Sequence, residues 1–275
     1  MKRLSSLLKI SVSALLVFFS LTASGSNLYR PSAGAGEAGM GYVCVMKNGF
    51  WNSFHNQASL AFNRSLSIGF NYENRFNISD LGTRSAGITI PAGSSSIGLL
   101  YSNFGNTDFK RERTGLACGI KLSDKISAGV QVDYLSEKTS EEYSNNRSVT
   151  YETGILVTPS ERLSVGIHLF NPIPNSIRKT YLPTTLRIGA GTTLSKSLFT
   201  GIEAEISTGS KLIFRTGFEY EAAKRFWLRS GFSSENSSFS FGLGYLAKIV
   251  QIDIGFLTHE KLGVTSSISL IFKIH

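Results

Sequence analysis

From residue 65 to the C-terminus, apolar and polar residues alternate one by one in segments of about 8–11 residues, with turn-rich residues between them. In 211–221 (KLIFRTGFEYE), Leu212, Phe214, Phe218 and Tyr220 fall on one side of a period-two repeat, and Lys211, Arg215, Glu219 and Glu221 on the other. Val130, Val132 and Tyr134 oppose Gln131 and Asp133 in the same way, and Val250, Ile252, Ile254 and Phe256 oppose Gln251, Asp253 and Gly255. Strand side chains alternate between two faces, whereas helical spacing would mix these sets. The chain is therefore built of strands that each carry one apolar and one polar face.

The alternation predicts strands near 65–72, 84–90, 95–103, 113–122, 125–136, 148–157, 162–170, 184–194, 198–206, 211–220, 225–234, 238–246, 248–258 and 263–274. That is fourteen, and closed bacterial barrels have even numbers. Connections alternate between tight (91–94, 123–124, 158–161, 195–197, 221–224) and long (103–112, 137–147, 171–183). Outer-membrane barrels have short periplasmic turns and longer outer loops. With 91–94 periplasmic, both chain ends are expected to be periplasmic too. A soluble β-sandwich is the competing fold. It is usually smaller than fourteen strands, and here the polar faces carry glycine and charge while nearly every apolar face is rich in Phe, Tyr, Leu and Ile. The expected fold is all-β: a transmembrane antiparallel β-barrel of about 14 strands, located in the cell outer membrane, with an N-terminal segment plugging the lumen.

Lys2, Arg3 and Lys9 precede an apolar run over 10–21, which is followed by small residues at 22–26. The run is shorter than the ~20 residues a membrane-spanning helix needs and has the layout of a cleaved leader. The expected division is a signal peptide over 1–26, a plug over 27–62 and the barrel over 63–275. Cys118 falls on the lipid side and Cys44 in the N-terminal segment. A disulfide needs Cα atoms within about 7 Å, so no pairing is expected. The net charge of +9 is scattered among acidic neighbours, unlike the clustered basic face of a nucleic-acid binder.

With the apolar face outward, glycine points inward on nearly every strand: Gly69, Gly87, Gly98, Gly119, Gly129, Gly154, Gly166, Gly189, Gly201, Gly217, Gly231, Gly242 and Gly255. Such glycines mark either strand curvature or the close approach of another backbone, here a plug over 33–61. The inner face also carries Arg187, Glu203, Glu205, Arg215, Glu219, Arg225 and Arg229, with signs alternating across neighbouring strands as cross-strand pairs prefer. They form either a mutually satisfied network or a path for a charged solute. Wide porins take about 16–18 strands, so a narrow or blocked lumen is expected. Of His55, His168, His259 and His275, only His168 reads as an inward strand residue. No HExxH, GxSxG, paired-Cys or P-loop motif is present, and no catalytic, cofactor or metal site is expected.

Residues 33–61 (AGAGEAGMGYVCVMKNGFWNSFHNQASLA) resemble the N-terminal signature of the PorV/PorQ family of Bacteroidetes-type, FadL-like outer-membrane barrels. The resemblance rests on Gly39, Met40, Gly41, Trp51, Asn56, Ala58 and Leu60. Gln57 stands where proline is usual, and Lys47-Asn48 where an acidic residue is common. The last strand has Phe272 near its end but finishes on His275, whereas barrel assembly signals typically finish on the aromatic residue. The resemblance implies a fourteen-stranded barrel with this segment in the lumen, outer-membrane lipid around it, and three readings of its role. The first is an accessory of protein secretion across the outer membrane (type IX), meeting secreted proteins or secretion-system components through loops 103–113 and 171–183, with Arg178, Lys179 and Tyr181 as contacts. The second is passive transport of hydrophobic small molecules. It needs an apolar pocket near Met40, Phe50, Trp51 and Phe54, residues that otherwise pack the plug against the wall. The third is a narrow pore or structural barrel.

Overall fold

The computed structural model describes residues 29, 33–139, 146–177 and 180–274. The expected leader, Arg178 and Lys179 lie outside the described residues. The strands are β1 (Leu66–Asn74), β2 (Gly82–Ala92), β3 (Ser95–Gly105), β4 (Phe109–Lys121), β5 (Ile126–Thr139), β6 (Asn146–Val157), β7 (Leu163–Phe170), β8 (Ser176–Ile177), β9 (Thr180–Tyr181), β10 (Thr185–Ser195), β11 (Leu198–Ser207), β12 (Ile213–Ala223), β13 (Phe226–Ser233), β14 (Ser238–Ala247), β15 (Val250–His259) and β16 (Gly263–Ile274). All but β8 and β9 close into one fourteen-stranded antiparallel barrel, with β1 against β16. Leu66 pairs with Ile274, so the start of β1 and the end of β16 share one rim, called here the near rim.

Two connections differ from the sequence expectation. The predicted loop 103–112 is mostly ladder: Asn103, Phe104 and Gly105 pair with Glu112, Arg111 and Lys110. Polar residues keep the strands together there, with Arg111 reaching Glu137 on β5 at 2.5 Å. The loop after β7 contains the β8–β9 hairpin and folds back into the far mouth, where Ile177 and Leu182 are buried against Leu135 and Tyr29. Tyr29 therefore lies at the far mouth, while β1 starts at the near rim.

Cross-strand register stacks the outward residues of β1–β6 in rows. Ile68, Ile88, Leu99, Leu116, Val132 and Tyr151 form one row; Phe70, Ala86, Tyr101, Thr114, Tyr134 and Val149 form the next toward the far rim. Beyond them stand Tyr72, Arg84, Asn103, Glu112, Ser136 and Arg147. Apolar side chains exposed over so large a band are the surface that lipid covers.

All thirteen inward glycines are buried, and every one of them would set a Cβ against residues of 33–61 within ordinary contact distance or closer. The inner segment opens with helix α1 (Ala35–Gly39), whose backbone lies against Gly255 on β15 and Gly242 on β14. Met40 then meets Gly231 and Gly217, Val43 meets Gly201, and Val45 and Met46 meet Gly189 and Gly166. Farther along, Asn56 and Gln57 face Gly154, Gln57 and Ala58 face Gly129, and Leu60 faces Gly119 and Gly98. The segment thus follows the wall from β15 to β3 in reverse strand order. Phe50 fills the remaining sector against Gly69 and Gly87. The glycines serve the close approach of a second backbone, the condition under which a strand tolerates the loss of packing that glycine brings.

Gly217→Val would set a Cβ 2.7 Å from the Met40 carbonyl oxygen and 3.0 Å from Val43 Cβ. Chemical denaturation should show a loss of about 1–3 kcal/mol, the usual cost of overpacking. The same substitution should be close to neutral in a chain lacking 33–61, because the clash is with that segment alone.

Candidate functional site in the lumen

The segment 33–61 bonds part of its backbone within three short helical turns (Ala35–Gly39, Trp51–Phe54 and Gln57–Phe62), and the polar groups between them need partners from the wall. On β10 and β11 they find Arg187 and Glu203. The Glu203 carboxylate accepts the N–H groups of Cys44 and Val45, each at 3.1 Å. Arg187 donates to the Tyr42 carbonyl at 3.0 Å and to Glu203 at 2.7 Å. Arg215 on β12 reaches Glu205 at 2.9 Å and Glu235 at 3.3 Å. Glu219 pairs with Lys47 of the plug at 2.8 Å and with Arg229 at 2.6 Å, and Arg229 continues to Asp253 at 2.6 Å. Six of the seven charged residues expected in the lumen therefore meet there.

Arg225 does not. It is exposed in the β12–β13 turn with φ 66°, its backbone N–H donating to the Glu221 carboxylate at 3.1 Å. The β12–β13 register shifts between Glu221 and Ala223, which breaks the strict alternation from which its inward position was inferred.

A second network on β4–β7 was not singled out from the sequence. Gln57 donates to Glu152 at 2.6 Å, and His168 Nε2 meets the same carboxylate oxygen at 3.0 Å. Arg113 reaches the other oxygen of Glu152, and bonds Asp133 at 2.9 Å. The inward alternation of Arg113, Gln131, Asp133 and Glu152 was the available signal. Gln57, where the resembling family has proline, joins plug to wall here. Its neighbour Asn56 caps the turn over Gln57–Phe62 by accepting from Ala58 N–H at 3.1 Å, and donates to the Val45 carbonyl at 2.7 Å, joining the two arms of the plug on either side of 46–55.

The remaining signature residues pack. Gly39 lies so close to Gly242 that a Cβ would stand 2.7 Å from its Cα, and Gly41 turns the chain at φ 66°. Trp51, Phe54 and Leu60 are buried with Ala33, Leu100, Ala117 and Ile271, with Phe50 against them. Around the place where an apolar pocket is expected, Phe50, Trp51 and Phe54 stack on one another, and Met40 lies against Gly217 and Gly231. Tyr181, the one described contact of the three expected in loop 171–183, is 81% exposed on β9.

A cavity of about 790 Å³ opens at the near rim, bordered by Met46, Lys47, Leu163, Phe199 and Glu219. The plug emerges here, with Asn48 and Gly49 exposed and the Lys47 ammonium 5.1 Å from the Phe199 ring centre. Deeper along α1, burial pushes the Glu37 carboxyl up to about 7; Asp253 adds to the rise, against the opposing pull of Arg229 and Lys47.

No family model matches the sequence, and no curated protein does. Solved structures share its architecture. The Ralstonia pickettii toluene transporter TbuX aligns at TM-score 0.69 and 11% identity over 90% of this chain and 100% of its own. A Pseudomonas aeruginosa FadL homologue aligns at TM-score 0.66 and 12% identity, covering 89% and 99%. The P. putida toluene transporter TodX aligns at TM-score 0.66 and 9% identity, covering 88% and 98%. The chain has a FadL-type fold. At these identities the likeness concerns the fold alone, and nothing in it singles out the PorV/PorQ family. In this FadL-type barrel the two polar networks and the glycine wall fix the plug around the whole circumference.

Glu203→Ala would leave Arg187 buried beside Glu205 at 3.8 Å and strip two plug N–H groups of their acceptor. Removing one partner of a buried pair costs about 3–5 kcal/mol, so limited proteolysis should cut 33–61 at a far lower protease concentration than in the unmodified protein. Glu37 gives the plug a pH dependence. Because its folded pKa is raised, the associated stability is complete below the ordinary carboxylate range and is lost as pH rises through about 7. Protease protection of the plug should fall over that window, and Glu37→Gln should flatten the profile.

Proposed function

We propose that the chain is an outer-membrane barrel, with its near rim toward the periplasm, that passes small hydrophobic molecules across the membrane. The observation that carries this reading is the occupied lumen. At the level of the inward glycines the bore is filled by a segment bound to wall strands from β3 to β15, unlike the aqueous bore of a 16–18-stranded porin. Two proteins of the same fold are described as toluene transporters, which favours an apolar solute over a sugar or an ion. The short turns at the near rim and the longer connections at the far rim support the orientation. The secretion reading draws no support from the structural likenesses, which favour transport instead.

Uptake of radiolabelled toluene and of a long-chain fatty acid by Gram-negative cells producing the protein tests this. A several-fold higher initial rate than in cells carrying empty vector is expected for at least one of them. In planar bilayers the intact protein should carry no steady ion current, and a form lacking 33–61 should conduct. Uptake equal to the vector control for both solutes, together with a steady current from the intact protein, would replace the reading with that of a pore.

A further inference from the structure

The outward face of β3–β6 carries an unbalanced positive charge just beyond the apolar rows. Lys110 on β4 stands directly opposite Lys138 on β5, and like charges in that position destabilise a sheet unless something neutralises them. Lys110 has a partner, Glu112 at 2.8 Å. Lys138 is exposed and has no partner among the described residues, and neither has Arg147, which is opposite Ser136 on the same face. Arg84, with its guanidinium 5.8 Å from the Tyr72 ring centre, lies in the row of Glu112 and Arg147. Among the described outward ladder residues, four cations and one carboxylate thus share this patch.

Its depth is as informative as its charge. The row beneath contains Tyr101 and Tyr134, and Tyr151 lies one row lower. Tyrosines gather at the level where membrane meets water, and basic residues just outside them sit at lipid phosphates. The patch is also local. On β11–β14 the last outward side chains before the far rim are Ile206, Phe214, Phe232 and Phe239, which carry no charge. A general excess of positive charge at the far rim would not leave that sector bare.

We propose that Lys138 and Arg147, with Lys110 and Arg84 flanking them, form a binding site on the outer wall for the phosphate groups of the outer-leaflet glycolipid. A planar guanidinium suits a phosphate through paired N–H donors, and the lysines add point charges beside it. The acyl chains of the same lipid would lie along Leu99, Leu116 and Val132. The inference rests on the outer-membrane orientation given above and is independent of what the lumen transports.

Native mass spectrometry of the full barrel in detergent, titrated with diphosphoryl lipid A, tests it. The unmodified protein should hold a first lipid at a concentration about ten-fold below that needed by the Lys138→Gln/Arg147→Gln variant, since each basic residue near an anionic headgroup contributes several-fold. The near-rim pair Lys224→Gln/Lys248→Gln should bind as the unmodified protein does. Heat-dependent gel mobility confirms that both variants are folded. Equal lipid A binding by the Lys138/Arg147 variant would overturn the site, as would equal loss in the near-rim variant. Dephosphorylated lipid A or phosphatidylglycerol binding as tightly as lipid A would overturn the assignment to glycolipid phosphate. Failure of solute uptake would leave each of these readouts unchanged.

Discussion

Everything in the lumen follows from a backbone pressed against a wall without side chains. A segment with only three short helical turns cannot satisfy all of its own N–H and C=O groups, and inside a barrel it has little water to turn to. The wall therefore supplies both the space and the partners. Glycine provides the space at the points of contact. Between the glycines, Glu203 accepts from Cys44 and Val45, Arg187 donates to Tyr42, and Ser269 accepts from the Ala35 N–H. The carboxylates and guanidinium groups then neutralise one another across strands, which offsets the cost of removing them from water. Buried charge is in this sense a consequence of the plug, and its alternating signs need no passing ion to explain them.

The barrel was legible because it depends on the simplest regularity a chain can carry. A period of two survives one or two misplaced residues per strand, and fourteen repeats of it left little room for another architecture. The inward glycines were equally readable, although only the structure separates curvature from contact. Arg225 shows the limit: a single slip in the β12–β13 ladder carries a charge from the lumen to a turn, and nothing in the local sequence announces it. The network of Arg113, Asp133, Glu152 and His168 went unnoticed because its members lie on four strands and meet only when register brings them level. The hairpin in loop 171–183 was hidden for a similar reason. Ile177 and Leu182 are buried by reaching Leu135, a contact no local pattern encodes.

The two faces of the wall answer different solvents. Inside, small and charged residues meet a polypeptide; outside, rows of Ile, Leu, Val and Tyr meet lipid and end in a polar row at a definite height. The outer rows are set by the thickness of the membrane and the inner ones by the path of the plug. That is why the glycine belt and the apolar band can run around the same strands without interfering with each other.

The reverse-order circuit of the plug has a consequence for assembly. The start of the plug's circuit touches the last strands: Ala35 bonds Ser269, 234 positions away. Contacts of that separation cannot form until nearly the whole sheet exists. No partial sheet offers the full track of glycines, since the plug touches strands from β3 through β15. Seating of the plug therefore reports that the barrel has closed in the correct register. A strand paired one residue out would turn its glycine outward and present a side chain in its place. The same inner surface that blocks the bore thus works as a proofreading step, accepting the segment only when every strand is where it should be.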